Sequence, residues 1–311
     1  MTPGDPRLTM PDYVTPDRLL FLDGTLQSLR SSEAMYHEAL VHPAMFAHPN
    51  PQNVAILGGG EGATLREVLK HTTLQSATMI EIDAELVDIS RKYLPMFSDC
   101  SDFVGRAGNC FDDKLATMEY TDGRGWFVDR FAENPTIEAK PEAFDVVIID
   151  ALDPEEPGLI SDVLYNDENF VASLMNSLTD DGVLVVQVGT AATVDEPRPE
   201  YGIYKNREVL FNNFENNPNV EAIFVYEDPH CGFLEPHSFL LVCKSASCRS
   251  RWYGRSDQVD YEIYDRITRT HSKERALKYF DGTTQRSYQW PKKGWETVYC
   301  RRDPVPFGAF S

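Results

Sequence analysis

A glycine-rich turn between an apolar run and a helical pattern constrains the fold of this chain more than any other feature. The run Val54–Leu57 leads into residues 58–62, which contain four glycines, and a helical pattern begins at Ala63. A second apolar run follows about twenty residues later and ends on Glu81 and Asp83. This order of strand, glycine turn, helix and strand predicts a nucleoside-binding βαβ unit.

The details of this unit favour a nucleoside without a pyrophosphate. Gly58 and Gly60 let the backbone turn sharply and approach a ligand, because no Cβ intervenes. Ala63 occupies the third glycine position of the dinucleotide pattern, and Glu61 places negative charge where a phosphate needs a free helix N-terminus. Glu81, at the tip of the second strand, can accept bonds from both ribose hydroxyls. S-adenosylmethionine or a relative fits this pattern.

Charge and composition exclude several classes of function. The chain has 29 basic and 49 acidic residues, and this net charge of −20 argues against nucleic acid because a phosphate backbone would be repelled. The same charge would attract a cationic substrate, although acidic surfaces also serve solubility. No run of about eighteen apolar residues exists, and the first residues are polar with two prolines. We therefore expect no membrane span, no signal peptide and a cytoplasmic location.

Cysteine and histidine spacings give no sign of a metal site. The six cysteines contain no C-x-x-C pair, so reduced cysteines are expected rather than a disulfide framework, and zinc is not expected. His37, His42 and His48 are spaced like no ligand set on a helix or loop, so structural histidines are the simpler interpretation.

From the glycine turn onward, strand patterns alternate with helical patterns, which predicts an α/β fold with a doubly wound sheet. The last two strands are joined by a short loop and should pair antiparallel. Five parallel strands and a terminal antiparallel pair form the Rossmann-like, class I methyltransferase-type arrangement. The predicted strands are 54–57, 78–82, 115–120, 144–149, 183–188, 222–226 and 238–242, and the predicted helices are 63–71, 84–94, 126–133, 166–178 and 206–216.

Three regions are predicted along the chain. Residues 1–48 form a small N-terminal β-hairpin element around a turn at Asp23, and residues 49–245 form the nucleoside-binding catalytic domain. Residues 246–311 form a C-terminal helix, predicted at Val259–Phe280, and an aromatic tail that packs on the catalytic domain.

Acids follow three successive predicted strands. In an open α/β sheet the ligand lies beyond the carboxyl ends of the strands. A helix cap or a solvated loop explains each acid alone, but their joint placement indicates a site. The strand-end residues are Glu81 and Asp83, then Asp122 and Gly123, then Asp150 and Asp153, with Gln187 after the fifth strand.

With these residues in place, the sequence resembles the polyamine aminopropyltransferases, the family of spermidine, spermine and thermospermine synthases. The resemblance runs from about Leu20 to Val188 and more weakly to Phe280. The segments that carry it are 22–27, Tyr36-His37-Glu38, His42-Pro43, 48–51, 58–62, 66–71, Glu81-Ile82-Asp83, Phe111-Asp112-Asp113, Asp122-Gly123 and 150–154.

The resemblance implies a reaction and a role for each site residue. The aminopropyl group of decarboxylated S-adenosylmethionine, a co-substrate, would pass to a polyamine with release of 5′-methylthioadenosine, and no other cofactor or metal is needed. A homodimer or homotetramer is implied. Asp150 would be the general base; Tyr36, Asp153 and Gln187 would bind the amine; His37 would contact the donor; and Gly58, Gly60, Glu61, Glu81, Asp83, Asp122 and Gly123 would bind the nucleoside.

The chemistry explains why a base is needed. A primary amine with a pKa of about 10.4 is protonated at neutral pH and cannot attack carbon. Asp150 can accept the proton if burial raises its pKa, while Asp153 holds the distal ammonium. The sulfonium already carries its leaving group, so positioning should supply most of the catalysis.

Three departures bear on the acceptor. Most members have aspartate where Glu61 stands, and Glu61 with the stretch 187–189 looks more like the thermospermine branch. The loop Asp228–Ser238 matches no family version and contains His230 and His237, which could contact substrate. Spermidine or a longer amine is therefore expected over putrescine.

Two other functions stay open. One is an S-adenosylmethionine-dependent amine N-methyltransferase on the same scaffold, and the other is a non-catalytic relative that binds polyamine or nucleoside. Retention of four residues together speaks against the second: Asp150, Asp153, Tyr36 and Gln187.

Overall fold

The computed structural model describes residues 17–137, 142–151, 164–191, 205–233 and 236–290. Its centre is a seven-stranded sheet, and a separate two-stranded hairpin precedes it. The hairpin strands are β1 (Leu19–Leu22) and β2 (Thr25–Leu29). The sheet strands are β3 (Asn53–Gly58), β4 (Ser76–Glu81), β5 (Ala116–Tyr120), β6 (Phe144–Asp150), β7 (Leu178–Thr190), β8 (Ala222–Asp228) and β9 (His237–Cys243).

The strand order β5-β4-β3-β6-β7-β9-β8 confirms the predicted doubly wound sheet. Strands β5, β4, β3, β6 and β7 are parallel, while β9 pairs antiparallel with both β7 and β8. The chain moves outward from β3 in one direction and then returns to β6 on the other side, so the switch point lies between β3 and β6. Ligands of such sheets bind beyond the carboxyl ends of the strands at this point.

Nine described helices surround the sheet and the hairpin. All five helices predicted in the catalytic domain are present, each within a few residues of the predicted bounds. None of the described helices combines the length and apolar character that crossing a bilayer requires. The helices are α1 (Glu33–Ala47), α2 (Ala63–Leu69), α3 (Ala84–Tyr93), α4 (Gly123–Phe131), α5 (Glu168–Ser177), α6 (Lys205–Glu215), α7 (Ala246–Trp252), α8 (Ser256–Arg266) and α9 (Gly282–Tyr288).

Helix α1 was not predicted, because it is buried on nearly every side. All its residues except Met35 are buried, so it lacks the polar stripe that marks an amphipathic helix, and Pro43 lies inside it. Its apolar side chains join the same core as those of β3 and β6. In the predicted region 1–48, the hairpin is therefore the part that stands outside the main core, while α1 belongs to the nucleoside-binding domain.

The C-terminal region differs from the single long helix predicted at Val259–Phe280. Helix α8 ends at Arg266, and the chain then continues in extended form. Ile267 forms an antiparallel bridge to His71, and Thr270 forms one to Phe103, so backbone pairing replaces the helical turns. Trp252, Phe280 and Tyr288 are buried in the core, which fixes this region to the domain. The rest of the aromatic tail, 291–311, lies outside the described residues.

Two disulfides contradict the expectation of reduced cysteines. Cys100 is bonded to Cys110, and Cys243 is bonded to Cys248, while Cys231 is free and buried. The bonded pairs are separated by ten and five residues, so no C-x-x-C spacing marked them. The loop between Cys100 and Cys110 and the turn from β9 into α7 bring the sulfur atoms together.

A single carboxylate of α1 holds the C-terminal segment in place. Glu38 is 1% exposed, and its two oxygens accept the backbone N–H groups of Lys278, Tyr279 and Phe280 at 2.7–2.8 Å. The bond to Phe280 is buried and the other two are partly buried, so loss of the carboxylate would leave at least one donor unpaired away from water, which costs free energy.

We predict that Glu38→Gln lowers the free energy of unfolding by about 2–4 kcal/mol, because one amide oxygen replaces two charged acceptors. Urea denaturation followed by circular dichroism measures this change. Glu85→Gln, on the exposed face of α3, is the matched control and should change stability by less than about 0.5 kcal/mol. Equal stability of the two variants would contradict the role of Glu38.

Candidate active site

A cavity of about 340 Å³ lies at the switch point, between the carboxyl ends of the parallel strands and the N-terminal hairpin. Most of the predicted site residues lie on its wall. Leu22 and Gln27 of the hairpin cover one side. The predicted residues that the structure brings together here are Tyr36, Gly58, Gly60, Glu61, Glu81, Asp83, Asp122, Gly123, Asp150 and Gln187.

The glycine turn and the fourth parallel strand meet at the floor of this cavity. Gly58 and Asp150 are register partners of β3 and β6, and the N–H of Gly59 donates to the carbonyl oxygen of Asp150 at 3.0 Å. Gly58 has φ +85°, and a Cβ at this position would lie 2.2 Å from that carbonyl oxygen. Only glycine allows this approach, which places the nucleoside loop directly beside the predicted base.

The carboxylate of Asp150 is held by two hydroxyls. Tyr36 donates to Oδ1 at 2.8 Å and Thr64 donates to Oδ2 at 2.5 Å. Burial and then the negative charge of Glu61 raise the pKa of Asp150, while the nearby cation of His37 and the two hydroxyls oppose this rise. The result is an oriented carboxylate with increased proton affinity, which is what a general base for an ammonium group requires.

Three acids form the predicted nucleoside end. Glu81 is buried, its Oε1 accepts the N–H of Asp83 at 2.8 Å, and burial raises its pKa. Asp83 caps α3 through the N–H of Leu86, and Asp122 caps α4 through the N–H groups of Arg124 and Gly125. Helix capping and the cavity wall are therefore both roles of Asp83 and Asp122. Each carboxylate oxygen keeps a second lone pair for a ligand.

At the opposite end, Gln187 is fixed by protein contacts. Its Nε2 donates to the carbonyl oxygen of Ala151 at 2.5 Å, and its Oε1 accepts the N–H of Gly189 at 3.1 Å. The Nε2 of His237 lies 2.9 Å from the same Oε1, and an amide oxygen only accepts, so this nitrogen carries the proton. Burial and then the charge of Arg207 lower the pKa of His237 to about 3, which keeps its ring neutral.

The loop that matched no family pattern contributes directly to the wall. His237 and Phe233 line the cavity, and their rings contact the ring of Tyr36. His230, the other histidine of this loop, is exposed and does not line it. The sequence offered His237 as a candidate but gave no signal for Phe233.

His37 lies behind the cavity wall instead of on it, and its contact with the donor stays a prediction. Its Nδ1 is 2.7 Å from the carbonyl oxygen of Glu33, and its Nε2 is 2.9 Å from Oε1 of Glu61. Burial alone would lower the pKa of His37, but hydrogen bonds and charges from Glu33 and Glu61 raise it to about 10. His37 is thus an imidazolium that reaches the cavity only through Glu61.

The ring nitrogen of His37 and oxygens of Glu61 and Asp150 lie within 4.8 Å of one another. The carboxylates of Glu33 and Glu61 face the two ring nitrogens of His37 at 3.2 and 2.9 Å, so we interpret this trio as an ion-pair cluster. His42 belongs to a different group, where it contacts Glu67 at 3.0 Å. Asp153, predicted to bind the amine, lies outside the described residues.

Sequence reasoning gave no role to three side chains that support the site. Thr64 bonds the base from the first turn of α2, while Glu33 and Arg66 pair behind His37 at 2.7 Å. The sequence could have indicated Thr64, because it follows the glycine turn at the position that faces the neighbouring strand. The Glu33–Arg66 pair joins two helices, and no local sequence pattern predicts such a contact.

The sheet order and the strand-end acids around one cavity define a Rossmann-like fold of the class I methyltransferase type. A comparison of the sequence with known protein families identifies the family within this fold class. The family model described as "Spermine/spermidine synthase domain" matches residues 33–197. The chain therefore belongs to the spermine/spermidine synthase family, the polyamine aminopropyltransferases, which are enzymes.

Individual relatives agree with this assignment. A polyamine aminopropyltransferase of Pyrococcus abyssi is 32% identical over 88% of this chain and 83% of its own length. Polyamine aminopropyltransferase 1 of Hyperthermus butylicus is 44% identical over 64% of this chain, a match that spans 61% of the relative. A spermidine synthase crystallised with the transition state analogue AdoDATO superposes with a TM-score of 0.66 and 26% identity, over 90% of this chain and 80% of that one.

We predict that Gly58→Ala lowers the free energy of unfolding by about 3 kcal/mol or more, because the new Cβ collides with the backbone of Asp150. Gly105→Ala is the matched control: Gly105 has φ +83° and nothing within 4 Å of its Cβ position. It should cost only the backbone strain, about 1 kcal/mol. Thermal and urea unfolding of both variants test this, and equal losses would contradict a close approach at Gly58.

Proposed function

We propose that this protein transfers the aminopropyl group of decarboxylated S-adenosylmethionine to a polyamine and releases 5′-methylthioadenosine. The observation that carries the proposal is the position of Asp150, a hydroxyl-bonded carboxylate beside the glycine turn, in the same cavity as Glu81 and Asp122. A spermidine synthase that superposes on this chain was crystallised with the transition state analogue AdoDATO, and this likeness supports the same class of reaction.

In this proposal the two ends of the cavity bind different parts of the donor and acceptor. Glu81 accepts from the ribose hydroxyls, and Asp122 accepts from the adenine amino group. Glu61 lies between these acids and Asp150, and its Oε2 has no protein partner among the described residues. This oxygen is suited to the ammonium group of the donor.

The transfer needs a free amine and a defined line of attack. Asp150 takes one proton from the acceptor ammonium, and the freed lone pair attacks the carbon next to the sulfonium. The carbon–sulfur bond breaks, and its electron pair stays on sulfur as a neutral thioether. Because the leaving group is already activated, the protein contributes mainly by orienting the two reactants.

One experiment tests the function directly. The protein is incubated with decarboxylated S-adenosylmethionine or with S-adenosylmethionine, each with a panel of amines, and the products are identified by mass. Aminopropylated amine and 5′-methylthioadenosine from the decarboxylated donor support the proposal. Methylated amine instead would favour the N-methyltransferase, and nucleoside binding without any product would favour a non-catalytic binder.

We predict that Asp150→Asn lowers kcat by about 10² or more, because a general base contributes on that scale. Affinity for 5′-methylthioadenosine, measured by calorimetry, should stay within about threefold, since the ribose and adenine acids are intact. Asp180→Asn, an exposed position near the amino end of β7, serves as the control for loss of an acid. A turnover within threefold of wild type would remove Asp150 from the base role.

We further predict that kcat/KM is higher for spermidine than for putrescine. The net charge of −20 favours a triamine, and each additional ammonium held by a partly exposed acid adds about 0.2–1 kcal/mol. Salt screens such contacts, so the preference should shrink between low and high ionic strength. Steady-state assays with both amines at two salt concentrations decide it, and a putrescine preference at both would contradict the expectation.

A further inference from the structure

A line of charged side chains runs from the cavity wall into the protein. Glu61 contacts His37 at 2.9 Å, His37 contacts Oε2 of Glu33 at 3.2 Å, and Glu33 accepts from two nitrogens of Arg66 at 2.7 and 3.1 Å. Arg66 also donates to Glu67 at 2.9 and 3.0 Å. The charges alternate along this line, so His37, Glu33 and Arg66 each have an opposite charge on both sides.

Of this line, only Glu61 lines the cavity. The side chain of Glu61 is 12% exposed, whereas those of Glu33 and Arg66 are 8% exposed and that of His37 is 2% exposed. Glu33 and Arg66 therefore affect a bound substrate only through His37 and Glu61.

The protonation of His37 depends on Glu33. Arg66 and His37 overcome the effect of burial and lower the pKa of Glu33 to about 2, so this residue is an anion at every working pH. Two anions, Glu33 and Glu61, then face the two ring nitrogens of His37. Their combined effect keeps the ring protonated far above the range of an ordinary histidine.

Other charged groups near His37 come from each neighbouring element. Asp150 of β6 is close enough for its pKa to be lowered by the cation of His37 and raised by the anion of Glu61. Arg66 of α2 acts through Glu33, and the uncharged ring of Tyr36 packs against the imidazole edge. Without the cation, Glu61 and Asp150 would be two neighbouring carboxylates with no compensating charge.

We propose that Glu33, held in place by its ion pair with Arg66, is a positioning residue for the transfer reaction. It keeps His37 cationic, and this cation orients Glu61 and offsets the negative charge of Glu61 beside Asp150. The role rests on the function proposed above, since Glu61 and Asp150 act there on the two amines. A purely structural Glu33 would fill space and bond Arg66 without setting the charge of the site.

Replacing Glu33 by glutamine removes the negative charge of this side chain and keeps its size and shape. The Glu33→Gln side chain can still bond Arg66 and His37, but His37 keeps only one direct anionic partner. Its ring then loses the proton at a lower pH. A neutral ring that still donates through Nδ1 to the Glu33 carbonyl turns a lone pair on Nε2 toward the carboxylate of Glu61, which repels it.

The first measurement is the titration of His37 by NMR in protein labelled at the histidine ring carbon, with the signal assigned by its loss in His37→Asn. Wild-type His37 should stay protonated to above about pH 9, and Glu33→Gln should lower its titration midpoint by at least about one pH unit, a tenfold change in proton affinity. Glu262→Gln, which removes a carboxylate that pairs with Arg251 and Arg266 away from the cavity, should leave it unmoved.

The second measurement is the pH profile of kcat/KM for aminopropyl transfer. The ratio of wild type to Glu33→Gln should be small near pH 6.5, where His37 is protonated in both, and should grow toward pH 9, to about twofold if the midpoint of His37 falls by one pH unit and to about tenfold if it falls by two. Glu33→Asp restores the charge and should return much of the lost activity at high pH. An equal loss at every pH, with His37 unmoved, would overturn the proposal in favour of a structural role.

The titration of His37 in the wild-type protein tests the proposal even if Glu33→Gln does not fold, because a midpoint below about pH 8 would overturn it. Failure of the proposed function gives a different pattern. In that case no aminopropyl product forms with any amine, while the NMR titration still shows whether Glu33 keeps His37 cationic.

Discussion

The contact between Gly58 and Asp150 is the constraint on which the site depends. Parallel pairing of β3 with β6 brings the end of the first strand against the end of the fourth, and a positive φ at Gly58 lets the chain turn away from the Asp150 carbonyl. The glycine turn of the proposed nucleoside pocket and the carboxylate of the proposed base are therefore set by one backbone approach. A side chain at Gly58 would separate them.

Helix α1 couples this contact to the rest of the molecule. Tyr36 reaches from it to the carboxylate of Asp150, Glu38 reaches in the other direction to the C-terminal segment, and Glu33 joins Arg66 of α2. Buried charges of this kind are weak contributors to stability unless every member is paired. Here the buried acids Glu33 and Glu38 of α1 both have partners. The helix that fills the core therefore also orients the side chains of the site.

The features that local sequence patterns determine were predicted, whereas those that depend on packing between separate segments were missed. The seven sheet strands, the antiparallel pairing of the last two and the acids at the strand ends follow from periodicity and from the position of the glycine turn. The structure contains these strands and places Glu81, Asp83, Asp122 and Asp150 around one cavity. Helix α1 has no amphipathic period, the pair Cys100–Cys110 lacks the C-x-x-C spacing, and the partner of Glu33 lies in another helix, so no local signal marked them. His37 matched a family motif, but its burial against Glu33 could be known only from the fold.

The charge balance of the cavity follows from these placements. Glu61, Glu81 and Asp150 share one wall, and burial together with the charge of Glu61 raises the pKa of both Glu81 and Asp150. A cationic ligand in this cavity would lower both pKa values again, and by linkage the ionised carboxylates would bind the cation more tightly. The cation of His37 supplies part of that compensation in the free protein, because it opposes the rise in the pKa of Asp150 before any substrate binds. In the proposed function, this acidic pocket for a cationic substrate depends on the buried positive charge of His37, which does not line the cavity.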